Sequence, residues 1–80
     1  MEARQFITEE FAKLKFNEML VIFTESDRLY VLNTGDGVYI VTYESGFYPK
    51  TFRNIKDILE TITERIAIVE LPDGRMFVSN

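Results

Sequence analysis

The sequence predicts an α+β domain, and two observations predict it. Six short stretches rich in β-branched and aromatic residues are bounded by Gly-, Pro-, Asp- and Ser-bearing turns. Two further stretches carry apolar residues at helical spacing, Ala3-Ile7-Phe11-Leu14 and Ile55-Ile58-Leu59-Ile62. The predicted order is α-β-β-β-β-α-β-β: an N-terminal helix, a four-stranded antiparallel meander, a second helix and a C-terminal β-hairpin.

In the first helix, Lys13 and Lys15 suit the negative pole of the helix dipole, and Asn17 is a plausible stop. Its start has two readings. The stripe begins at Ala3, but Thr8 followed by Glu9 and Glu10 also resembles an N-cap with acids in the first turn. The strands of the meander are Met19–Thr24, Arg28–Asn33, Val38–Tyr43 and Phe47–Phe52. Connections this short join antiparallel neighbours. Pro49 has no N–H to give a central ladder, so the fourth strand is expected at an edge or broken there. Asn54 caps the second helix, with Asp57 at the third helical position. The hairpin follows as Ile66–Leu71, a Pro72-Asp73-Gly74 turn and Arg75–Ser79.

The strands have no polar face. Alternation puts Leu29 and Val31 on one side of the second strand, with Tyr30 and Leu32 on the other. In the third, Val38 and Ile40 oppose Tyr39, Val41 and Tyr43. An aliphatic face and a tyrosine-rich face of Tyr30, Tyr39 and Tyr43 are therefore expected. Helices on opposite sides of the sheet would bury both faces. Helices on the same side would leave the tyrosine face to a second subunit or a partner, a setting that suits an amphipathic ring.

At 80 residues, residues 1–80 form one small domain with a thin core, and self-association is the remaining way to bury more surface without a disulfide or metal. A homodimer is expected. The absence of Cys and His removes thiolate chemistry, the commonest general base and the commonest transition-metal ligand. No cofactor and no metal are expected. Glu9/Glu10, Glu25/Asp27 and Asp36/Glu44 are the acidic pairs, but all fall at turns or helix starts, where acids serve capping and solvation. Ser26, Ser45 and Ser79 have no histidine to activate them. Gly35-Asp36-Gly37 precedes a strand, so it is a hairpin turn and not a phosphate loop. No apolar run approaches membrane-spanning length, and the first ten residues have no signal-peptide core, so a cytoplasmic protein is expected.

One segment stands apart. Gly46–Lys56 carries +3 in a chain of net charge −4, so the other 69 residues carry −7. Its bases Lys50, Arg53 and Lys56 alternate with Phe47, Tyr48 and Phe52 and lead into a helix N-terminus. That combination suits a phosphate-bearing ligand, a nucleotide or a single-stranded nucleic acid. The plainer reading is an edge strand whose rings are half core and whose bases keep the edge soluble.

The function expected is that of a small non-catalytic binding or regulatory protein that occupies a surface of a protein partner. Inhibition of a host enzyme by a phage-type accessory protein is one form of this. Residues 2–27, with six acids and three bases, would steer approach to a basic groove. The alternatives are an oligomeric binder of a small anionic ligand at residues 46–56, and a single-stranded nucleic-acid binder. Overall acidity weighs against the last.

Overall fold

A computed structural model describes residues 1–46 and 48–79. The elements are α1 (Ala3–Phe11), β1 (Met19–Thr24), β2 (Arg28–Gly35), β3 (Val38–Tyr43), β4 (Lys50–Phe52), α2 (Ile55–Glu60), β5 (Ile66–Glu70) and β6 (Met76–Val78). The α+β class and the element order are those expected from sequence. The strands form one antiparallel sheet in the order β4-β3-β2-β1-β5-β6. The C-terminal hairpin thus joins the meander alongside β1, which becomes a central strand. β4 is an edge strand, as Pro49 implies, but it starts at Lys50. The first part of the expected strand is Phe47, which lies outside the described residues, and Tyr48 and Pro49, which are not paired.

α1 starts at the earlier of its two candidate positions. The Glu2 carboxylate accepts from the backbone N–H of Arg4 (3.0 Å) and Gln5 (3.4 Å), satisfying donors that the helix cannot. Thr8 is interior, its hydroxyl donating back to the Arg4 carbonyl at 2.8 Å. The helix ends at Phe11, so Lys13 and Lys15 lie beyond its last turn. Leu14 is still buried, in the turn that follows.

α2 is capped by Asn54, whose side-chain oxygen accepts from the Asp57 N–H at 2.9 Å. It stops at Glu60, two residues before the apolar stripe ends at Ile62. The Thr61 and Ile62 N–H groups tighten onto the carbonyls of Ile58 (3.1 Å) and Leu59 (3.0 Å). Ile62 reaches the core from the turn beyond the helix.

Both helices lie on the same side of the sheet. Leu20 and Ile22 of β1 align with Val31 and Leu29 of β2, and Ile22 aligns with Val69 of β5. Ile7, Phe11 and Ile58 pack on this surface. The rings of α1 mark how far it reaches across. Phe6 stacks on Phe77 of β6 at 4.4 Å between centroids, and Phe11 meets Tyr39 of β3 at 4.2 Å. Arg4 binds the two helices together. Its guanidinium donates to the carbonyls of Leu59 (3.0 Å) and Ile62 (2.8 Å), at and just past the end of α2.

The expected tyrosine face does not form. Tyr43 pairs with Leu29, Val41 with Val31 and Tyr39 with Asn33, so Tyr39 and Tyr43 face the helices while Tyr30 faces away. The cause is a bulge between Asn33 and Gly35, next to the Asp36-Gly37 turn. One extra residue in a strand shifts the register by one and exchanges the faces of everything beyond it.

Asn33 is the buried polar residue of this surface. Its Nδ2 donates to the Leu14 carbonyl (2.9 Å) and its Oδ1 accepts from the Gly35 N–H (2.9 Å). Its backbone exchanges bonds with Asn17 and Glu18. The loop after α1 is thereby fixed to the β2–β3 hairpin.

Ile58 is fully buried, so Ile58→Ala is expected to cost about 2–5 kcal/mol in urea unfolding. Glu60→Ala, on the exposed side of α2, should cost less than about 0.5 kcal/mol. Arg4→Met removes two charged hydrogen bonds to carbonyls and should cost about 1.5–3 kcal/mol in the same measurement.

Candidate functional site

The sheet surface turned away from the helices is apolar. Along β1, Met19, Val21 and Phe23 point to it, and the pairing places Leu32, Tyr30 and Arg28 of β2 beside them. β3 adds Val38, Ile40 and Thr42, β5 adds Ile68 and Glu70, and β6 adds Met76 and Val78. Val21, at the centre, is only 7% exposed although no helix covers it, because its strand neighbours crowd around it. At the margin Met76 and Val78 are 60% and 62% exposed. A sheet with one face toward water normally alternates apolar and polar residues, and this one does not. Contiguous apolar patches beyond a few hundred Å² mark interaction sites on soluble domains.

The strands of this surface carry Arg28 and Glu70 on opposite sides of β1, and Glu44, just past β3 with its N–H on the Arg28 carbonyl at 2.9 Å, adds an acid beside Arg28. Arg28 is held in place. Its guanidinium carbon lies 4.7 Å from the Phe23 ring centroid, and Nη1 is 3.3 Å from the Tyr30 hydroxyl. A guanidinium over a ring face is attracted by the ring quadrupole.

The tyrosines named from sequence are therefore divided. Tyr30 belongs to the open surface. Tyr39 packs against Phe11 beneath α1, and the Tyr43 hydroxyl lies 3.0 Å from the Thr61 hydroxyl after α2. Sequence reasoning missed Val21, Phe23, Ile68, Met76, Val78, Arg28 and Glu70. The signal available for the first two was the unbroken apolar run Met19–Phe23, which marks a strand buried on both faces.

The basic aromatic segment is spread out. Phe47 lies outside the described residues. Tyr48 is 82% exposed, whereas Phe52 turns inward against the core. Lys50 sits over the Tyr43 ring, with Nζ 5.6 Å from its centroid, and Arg53 is exposed. Lys56 faces a groove of about 420 Å³ between the helices, shared with Arg4, Thr8, Ile55, Leu59 and Glu60. α2 has six residues, and its N-terminus already holds the Asp57 N–H on Asn54 and the Asp57 carboxylate in its first turn.

Two of the acids that border cavities, Glu64 and Asp27, are engaged by hydroxyl groups. Glu64 accepts from Ser26 Oγ (2.6 Å) and Thr24 Oγ1 (2.7 Å). Asp27 accepts from Ser45 Oγ (2.7 Å) and from the Arg28 N–H (2.8 Å). The two carboxylates and Tyr43 border a cavity of about 250 Å³. They tie the β1–β2 turn to the segment after α2 and to the turn after β3. The Ser26 hydroxyl, then that of Thr24, lowers the Glu64 pKa, and the Ser45 hydroxyl, then the Arg28 N–H, lowers that of Asp27. Among the described residues there is no group of three or more acidic side chains placed to hold a metal ion. Among the described residues no helix is long and apolar enough to cross a membrane.

Comparison of the chain with protein-family models, curated proteins and solved structures finds no match.

Carboxylates whose pKa is lowered by folding stabilise the fold above their unfolded values, 3.8 for Asp27 and 4.5 for Glu64, and lose that contribution as pH falls through the folded values. The thermal midpoint should therefore fall as pH is lowered from about 5 to about 3. The fall should be smaller in a Ser26→Ala/Ser45→Ala variant, whose carboxylates have lost those donors. Melts across a pH series check this.

Proposed function

We propose that this chain is a non-catalytic binding protein whose working surface is the helix-free face of its sheet, and that the surface takes a protein partner. The observation that supports this is the two-sided apolar sheet with both helices on one side. Burying apolar surface contributes about 25 cal/mol per Å², so a partner seated there gains most from the central strands. The carboxylates next to cavities hold backbone turns together, which favours a structural role for them over acid–base work.

A second reading, an anionic ligand or single-stranded nucleic acid at residues 46–56, rests on the exposed Tyr48, Lys50 and Arg53. Two variants separate the readings. Leu32→Lys with Met76→Lys places cations on the open face, and Lys50→Glu with Arg53→Glu takes the basic segment from +3 to −1. Each is compared with the unmodified chain by thermal melting and by quantitative binding to whatever partner the unmodified chain retains at fixed stoichiometry. The expected outcome is a melt close to the parent for both pairs, with binding lost only in the Leu32/Met76 variant. Loss only in the Lys50/Arg53 variant overturns the proposal and favours the anionic ligand.

A further inference from the structure

We infer that the partner on the open face is a second copy of this chain, packed face to face about a two-fold axis that runs along β1. The inference rests on the reading of that face as the contact surface and adds the identity of the occupant. Charge complementarity carries it. Tyr30, Val21 and Glu70 lie in one row across three strands, Val21 pairing with Tyr30 on one side and Glu70 on the other. A half-turn about β1 exchanges the two sides. It lays Val21 on Val21 and brings Tyr30, with the Arg28 guanidinium held at its hydroxyl, opposite Glu70 of the second copy. The same half-turn brings Glu70 opposite the second copy's Tyr30, and Arg28 opposite its Ile68, one pair along the strand from Glu70. The base and the acid that flank β1 on this face, Arg28 and Glu70, thus come near each other twice in one symmetric pair, with Glu44 a second acid beside Arg28. Such an interface is self-complementary by construction.

The size agrees. Five strands about 4.8 Å apart and a central strand rising about 3.4 Å per residue define a plane of roughly 500 Å². Two such planes together reach roughly 1,000 Å², about the least that a biological interface buries, which makes this a weak dimer. An axis parallel to the strands also keeps the strand directions of the two sheets close, as in aligned sheet packing.

Sedimentation equilibrium of the full chain tests this. A dimer is expected at about 100 µM. Each substitution occurs twice in a two-fold pair, so Arg28→Glu, or Glu70→Arg, should weaken the dimer at least about tenfold. The Arg28→Glu/Glu70→Arg double variant should restore most of that loss. Met76→Lys, at an exposed position that does not threaten folding, should also weaken it. A monomer at this concentration overturns the second-copy inference, while the partner-binding reading stands or falls on the variant pairs of the preceding test. A dimer indifferent to Met76→Lys overturns the face. A dimer that Met76→Lys weakens but the charge exchange does not rescue overturns the axis.

Discussion

Arg4 holds the arrangement on which everything else depends. α2 has only six residues, too few to be stable by its own hydrogen bonds. Its last carbonyls need partners, and two of the carbonyls at its end receive the Arg4 guanidinium from α1. The contact holds the two helices side by side. With Phe6 over β6 and Phe11 over β3, α1 covers one surface of the sheet and α2 extends that cover toward β4. Once both helices occupy the same layer, no helix is left for the other face. The bare apolar surface and the two-helix layer are one fact seen from opposite sides.

Much of the local structure is legible in the residues. β1 and β3 have the bounds that their apolar runs imply, because Gly and Asp at the turns leave little choice of where a strand stops. The Pro72-Asp73-Gly74 turn also behaves as its composition requires. Gly74 takes φ 90°, its N–H donates to the Leu71 carbonyl at 3.0 Å, and Leu71 N–H reaches Arg75 at 2.8 Å. Faces are another matter. A period of two says which residues share a side within one strand and nothing about how two strands align. The bulge before Gly35 decides that alignment, and neither Thr34 nor Gly35 announces a bulge rather than a plain turn. Alternation alone therefore groups Tyr39 and Tyr43 with Tyr30, and the bulge separates them.

Tertiary contacts account for the remaining differences. Ile62 continues the helical spacing of α2 but reaches the core from a turn, where the Thr61 N–H and hydroxyl take the Ile58 carbonyl that the Ile62 N–H would use in a continued helix. Glu64 falls at helical spacing from Lys56 and Glu60. It lies past the helix end and holds the β1–β2 turn through Thr24 and Ser26, forty and thirty-eight residues away in the chain. Arg28 and Glu70 belong to strands that never adjoin, so only the strand order shows that they flank the same neighbour. The candidate surface was thus foreseeable as an apolar strand and not as a surface.

The place of β1 between β2 and β5 bears on how the chain reaches this state. β1, β2 and β3 pair with sequence neighbours, and their ladders close over short turns. The ladder between Ile22 and Val69 spans most of the domain. Loop closure over that length carries an entropy cost that must be met before the contact is rewarded, which slows folding. The three-strand meander closes over short turns, whereas β5 reaches its edge only across the long connection that holds α2. Until then β1 presents an unpaired apolar edge to solvent. The protein is therefore most exposed to misassociation during its own folding, at the strand that later becomes its centre.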